Sequence, residues 1–264
     1  MSPVIALHGR FFVQRFMPKD TDVFAFFITF GNRYSRLLYL MKIWYNIKQM
    51  IPGGTVMKTY EYGNPTSDIV LIQPVDDHDL ALIENEIAAI ADNSDKDFRL
   101  IVVKVDDWNL DLSPWQAPAV FGKDAFGGGA SDTLSAMLPL CEDKTKTYYI
   151  GGYSLAGLFA LWAAYQTDTF KGVAAASPSV WFPDFENYVI HNRIQTEAVY
   201  LSLGDKEEKT RNPVMTQVGN AIRSIHHHLD DSHINCALEW NQGNHFKDAD
   251  LRTAKAFAWL LNRP

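Results

Sequence analysis

The stretch Tyr148-Tyr149-Ile150-Gly151-Gly152-Tyr153-Ser154-Leu155-Ala156-Gly157 decides how the chain folds. An apolar run enters a pair of glycines, and a second apolar run, Leu155 to Tyr165 (LAGLFALWAAY), leaves it. Gly152-x-Ser154-x-Ala156 is a close variant of the G-x-S-x-G nucleophile elbow. Small residues are needed two places before and after the serine, because the chain turns sharply from strand to helix and side chains there collide. Ala156 stands where glycine is usual, yet it remains small. The turn predicts a strained backbone at Ser154. Its hydroxyl is expected at a helix N-terminus, where the dipole favours developing negative charge. A plain strand–helix turn with Ser154 as a mere N-cap is the competing reading. The apolar strand before, the apolar helix after and the mid-chain position favour the elbow.

Outward from this turn, short apolar runs alternate with helical patterns from Met57 onward, the signature of repeated βαβ units. Strands are predicted at Lys58–Tyr62 (an edge strand), Asp68–Gln73, Phe98–Val105, Thr147–Gly151, Lys171–Ala176, Val199–Leu203 and Ile234–Trp240. Helices are predicted around Leu80, Ile83, Ile87 and Ile90, then at Ser131–Leu140, Leu155–Tyr165, Val214–Leu229 and Asp248–Leu261. FRLIVVKV at 98–105 is continuous enough for a strand buried on both faces. The expectation is an α/β fold with a mostly parallel central sheet and helices on both faces, one domain over residues 57–264. The aperiodic stretch 106–129, rich in Pro, Gly and Trp, is expected to be a functional loop.

A serine nucleophile needs a base, and the base needs an orienting carboxylate. In this class of fold the chain order is Ser, Asp/Glu, His. His245, in Asn241-Gln242-Gly243-Asn244-His245-Phe246, follows the last strand and precedes the last helix, where that order requires the base. His78 and His191 precede the expected acid, and His226, His227 and His228 point in different directions from one helix. The acid is expected after Val199–Leu203, in Gly204-Asp205-Lys206-Glu207-Glu208, where spacing alone leaves Asp205 and Glu207 open. Trp115 and Trp181 lie in segments expected to wall a substrate pocket, or else to anchor those segments by packing.

GGYSLAGLFALWAAY at 151–165, FGGGASD at 126–132, LGDKEEKTRNPVM at 203–215 and GNHF at 243–246 together resemble the esterase D-like and enterochelin-esterase-like branch of the α/β-hydrolases. The resemblance spans about residues 57–262 and none of the N-terminal stretch. It implies the α/β-hydrolase fold and hydrolysis of small-molecule carboxylic esters through an acyl-enzyme, without metal or organic cofactor. It also implies that the acid stands three residues after the strand-end glycine, which selects Glu207 over Asp205. One departure concerns the oxyanion hole. The loop after the early strand reads Gln73-Pro74-Val75-Asp76-Asp77-His78-Asp79. Pro74 has no N–H, so Val75, or else Asp76, is expected to join the amide of Leu155. The same triad also suits a thioesterase, peptidase or acyltransferase, and a hydrolase-like binding protein is the non-catalytic rival.

Composition bounds the rest. An apolar fraction of 47% over 264 residues is ample for a core, and a net charge of −7 argues against a nucleic-acid partner. Two cysteines in no metal-ligand spacing suit a reduced, cytoplasmic protein. The composition leaves the oligomeric state open. The first 56 residues carry seven Lys/Arg against two Asp, so the remainder is the acidic part. Their apolar run Val23–Phe30 is too short for the ~20 residues of a membrane span, and no small-residue cleavage site follows it. In a bacterial gene, Gly53-Gly54 can be encoded by a purine-rich ribosome-binding sequence ahead of Met57. Residues 1–56 are therefore expected to be either an untranslated extension or a genuine amphipathic arm. The intact mass of the native protein separates the two: a start at Met57 is expected on the first reading, and a start at Met1 ends it.

Overall fold

A computed structural model describes residues 49–50, 56–120 and 122–263. Apart from Gln49, Met50 and Val56, the expected N-terminal extension lies outside the described residues. In chain order the elements are β1 (Gln49–Met50), β2 (Val56–Gly63), β3 (Ile69–Val75), α1 (Asp77–Asn93), β4 (Arg99–Lys104), α2 (Trp108–Asp111), β5 (Gln116–Ala117), β6 (Phe126–Gly127) and α3 (Ala130–Met137). Then follow β7 (Thr147–Tyr153), α4 (Leu155–Gln166), β8 (Phe170–Ala176), α5 (Phe185–His191), β9 (Ala198–Gly204), α6 (Val218–Asp231), β10 (Asn235–Asn241) and α7 (Ala249–Leu261).

The main sheet has the order β1-β2-β4-β3-β7-β8-β9-β10. From β4 to β10 neighbouring strands run parallel, and β2 pairs antiparallel with β4. The outer side of β2, expected to be the edge, carries the two-residue strand β1.

Period-two alternation buries both faces of this sheet. Val70 and Ile72 of β3, Ile101 and Val103 of β4, and Val199, Leu201 and Leu203 of β9 face the layer that holds α4 and α6. Leu71, Leu100, Val102 and Tyr200 face the opposite layer, formed by α1 and α7. Helix α4 sits against β7 and β8 with Leu155 through Tyr165 all buried, as an all-round apolar sequence requires. Close approach on the other face is made at Gly151. A Cβ there would lie 2.6 Å from Phe257 Cζ of α7 and 2.7 Å from Ala174 Cβ of β8.

The structure departs from the sequence expectation in three places. The stretch 106–129 is not one irregular loop: it holds α2 and the small β5–β6 ladder. Helix α5 went unpredicted, because seven residues with buried Phe185 and Val189 are too few to show a helical period. The expected helices at 131–140 and 214–229 are divided, with tighter 3-10 turns at Leu138–Cys141 and Met215–Gln217. No helix among the described residues is long and apolar enough to cross a membrane.

Gly151→Ala is expected to cost about 1–3 kcal/mol in urea unfolding, the cost of an extra methyl in a packed core. Combining it with Phe257→Leu is expected to cost less than the sum of the two changes, because the nearest clashing atom is then removed.

Candidate active site

The site is built at the carboxyl ends of the parallel strands. Ser154 occupies the turn from β7 into α4 with φ 57° and ψ −118°, a backbone conformation that a residue with a Cβ seldom adopts. The surroundings impose it. Ser154 N–H donates to Ala176 O of β8 at 3.1 Å, and Ser154 O accepts from Leu158 N and Ser179 N, both at 3.0 Å. A Cβ on Gly152 would lie 2.6 Å from Ala156 Cβ, which is why both positions must stay small. Ser154 makes no side-chain capping bond, so the plain N-cap reading does not hold.

The loop between β10 and α7 brings His245 to this turn. Its Nε2 lies 2.9 Å from Ser154 Oγ, and its Nδ1 lies 2.7 Å from Glu207 Oε2. A carboxylate only accepts, so Nδ1 carries the proton and Nε2 accepts from the serine. Glu207 is buried, and its other oxygen accepts from Gly204 N at 2.7 Å, Ser177 Oγ at 2.8 Å and Arg252 Nη1 at 2.9 Å. Asp205, the alternative acid, accepts instead from Gly243 N at 2.8 Å and so fastens the histidine loop to the end of β9.

Arg252 was not foreseen. It is 3% exposed on the core-facing side of α7. Beyond Glu207, it donates to Ser177 Oγ and Tyr153 Oη at 3.1 Å each, and to the carbonyls of Gln242 and Asn244. Tyr153 in turn donates to His245 O at 2.7 Å. Burial, followed by the charge of Glu207, pushes the Tyr153 phenol up to about 12, so it stays a donor. The available signal was an arginine one turn before Ala256 in an apolar stripe, since a buried cation demands a partner.

Val75 and Asp76, the expected oxyanion donors, fall at different points of the β3–α1 junction. Val75 O accepts from Val105 N, and the parallel ladder pattern then commits the Val75 N–H to β4. Asp76 is the N-cap of α1, and its carboxylate turns back to accept from Asp79 N at 2.8 Å. Asp76, His78 and Asp79 offer ligand atoms within 4.8 Å of one another, the spacing of a cation site, though one Asp76 oxygen is already engaged and His78 is exposed. Burial, reinforced by Asp76, raises the Asp79 carboxyl to about 6. Burial also lifts the Glu86 carboxyl well above its ordinary value, against the hydrogen bond it accepts from Gln73 Nε2 at 3.2 Å.

Trp115 and Trp181 are placed as packing groups. Trp115 donates its indole N–H to Pro183 O and meets the rings of Phe182, Phe185 and Tyr188. Trp181 is buried beside Phe126. Together they pin the 106–129 segment to the 177–188 segment. The aromatic side chain open to solvent beside the histidine is Phe246, 90% exposed and edge-on to the imidazole.

Solved structures similar to this chain decide the fold. The siderophore hydrolase EstA from Aspergillus nidulans matches over 80% of this chain and 91% of its own, with TM-score 0.60 and 18% identity. An IroE-like serine hydrolase from Shewanella oneidensis matches over 79% and 76%, with TM-score 0.59 and 12% identity. Est1E from Butyrivibrio proteoclasticus matches over 80% and 96%, with TM-score 0.55 and 14% identity. This is the α/β-hydrolase fold. No protein-family model matches the chain, and no curated protein matches it. Within the α/β-hydrolase fold, the ends of β7, β9 and β10 bring Ser154, Glu207 and His245 into one hydrogen-bonded row.

The raised Asp79 carboxyl has a consequence for stability. Its folded value of about 6 exceeds the ordinary 3.8, so the folded state holds the proton more tightly and ionisation opposes folding. The penalty is absent below about pH 4, grows between about pH 4 and 6, and is complete above. Asp79→Asn is therefore expected to stabilise the protein by about 1–2 kcal/mol at pH 8 and to be neutral at pH 4, read by urea unfolding at both.

Proposed function

We propose that the protein is a serine hydrolase that cleaves small-molecule carboxylic esters through an acyl-enzyme. The observation that carries this reading is the continuous row Ser154 Oγ–His245 Nε2 at 2.9 Å and His245 Nδ1–Glu207 Oε2 at 2.7 Å. The row starts at an elbow where Ser154 is held at a φ of 57°, a strained backbone of the kind that gathers at functional sites. Proteins that share the fold include siderophore hydrolases and a serine hydrolase, which supports the same chemistry.

Ser154 Oγ attacks the ester carbonyl as its proton passes to His245 Nε2. Glu207 fixes the tautomer and stabilises the imidazolium, and Arg252 donates to its other oxygen at 2.9 Å and holds the carboxylate in place. His245 then returns the proton to the departing alcohol oxygen. Water repeats the attack on the acyl-enzyme, with His245 taking its proton and handing it to Ser154 Oγ. The tetrahedral oxygen is held by the amide of Leu155, free at the first position of α4, and by that of Asp76. Asp76 replaces Val75 in this role for two reasons. No described residue accepts from the Asp76 amide, and continuing the Ile72–Ile150 register of β3 and β7 carries it beside Ser154. The Asp76 carboxylate, bent onto Asp79 N, leaves its own amide unobstructed.

Net charge −7 disfavours a nucleic-acid partner, and the free cysteines Cys141 and Cys236 suit a reducing cytoplasm. Burial raises the Cys141 thiol to about 12, which makes it inert at neutral pH.

A fluorophosphonate probe is expected to label the protein at Ser154, and Ser154→Ala is expected to lose both the label and at least ~10³-fold in kcat on a p-nitrophenyl ester. An unlabelled native protein, or an undiminished Ser154→Ala, overturns the proposal. Glu207→Gln is expected to lower kcat by about 10³–10⁴-fold, as loss of the orienting charge does in other triads, whereas Asp205→Asn is expected to cost about tenfold or less. The reverse order would make Asp205 the acid.

A further inference from the structure

Ser179 stands in the loop after β8, 2% exposed, with its Oγ 3.2 Å from Ser154 Oγ. Its amide donates to Ser154 O at 3.0 Å and its carbonyl accepts from Phe182 N at 2.9 Å, so its place is fixed by backbone contacts independent of its hydroxyl. Proton placement in the row determines what that hydroxyl does. Glu207 accepts from Nδ1, which leaves Nε2 bare, and the proton of Ser154 must go to Nε2. Ser154 Oγ then has only lone pairs to offer Ser179, and the Ser179 O–H is the donor.

We infer that Ser179 is a further catalytic residue, donating a hydrogen bond to the nucleophile oxygen and acting chiefly when the acyl group leaves it. This rests on the reading of Ser154 as nucleophile. During acylation of an activated ester, a donor on Oγ opposes attack by drawing on its lone pair and favours it by steadying the oxygen as its proton departs. The two nearly cancel. In the acyl-enzyme Oγ is an ester oxygen and a poor acceptor. When water has added, the carbon–Oγ bond breaks, the electron pair stays on Oγ, and the His245 proton moves to it. Oγ gains charge in this step, and the Ser179 hydrogen bond strengthens with it. A donor on the ester oxygen also weakens its resonance into the carbonyl, which helps water attack. The two half-reactions therefore separate: deacylation depends on Ser179 and acylation does not.

The test uses the full chain with p-nitrophenyl acetate. Acylation is read from nitrophenolate release in stopped flow, and deacylation from the decay of the acetylated intact mass after rapid removal of ester. Ser179→Ala is expected to slow loss of the acetyl group about tenfold while leaving acylation within about twofold, so that kcat falls and kcat/KM holds. Ser179→Cys, of near-equal size but a weak donor, is expected to behave the same way and serves should the alanine variant not fold. Unchanged acetyl loss in the variants, or an equal fall in both half-reactions, overturns the inference while leaving Ser154 as nucleophile. A native protein that never becomes acetylated at Ser154 overturns the function itself.

Discussion

The ion pair between Arg252 and Glu207 is what the rest of the site hangs on. Both groups are almost wholly buried, and taking two charges out of water is costly unless every remaining donor and lone pair is satisfied. Here they are satisfied from four directions: the end of β7 through Tyr153, the loop after β8 through Ser177, the end of β9 through Gly204, and the histidine loop through the carbonyls of Gln242 and Asn244. A guanidinium offers five donors in a fixed fork, and a lysine in its place has no comparable set. The ends of these parallel strands are thereby tied together at one point.

The parts of this arrangement that were legible beforehand are those written in local sequence. Ser154 announces itself because a sharp strand–helix turn restricts residues only two positions away, and Gly152 and Ala156 satisfy it. His245 follows from its place between the last strand and the last helix. Glu207 was separated from Asp205 by resemblance, not by spacing, because both leave the same turn. Their roles depend on which way each side chain projects once Gly204 has ended β9. Arg252 and Ser179 act across 45 and 25 residues of chain, and no periodicity encodes such contacts. Trp115 and Trp181 were ambiguous for a related reason: an aromatic residue in a loop reads alike whether it lines a pocket or anchors a fold, and here each is engaged with other rings.

The acidic junction after β3 resolves in a similar way. A run of Asp residues beside the proposed oxyanion hole looks adverse when charges are counted along the chain. In three dimensions the Asp76 carboxylate caps the helix that it begins, and burial makes Asp79 and, deeper along the same helix, Glu86 weaker acids than usual. The acidity of that stretch is thus partly turned aside by capping and partly weakened by burial.

The bend at Ser154 is clamped by main-chain groups alone: its N–H on Ala176, its carbonyl on Leu158 and Ser179. None of those contacts involves the hydroxyl. Architecture and reactivity are consequently separable at this position, and a single base change removes the hydroxyl while leaving every contact that holds the bend. For a lineage bearing this scaffold, the distance between an enzyme and a silent binding relative is one side-chain oxygen.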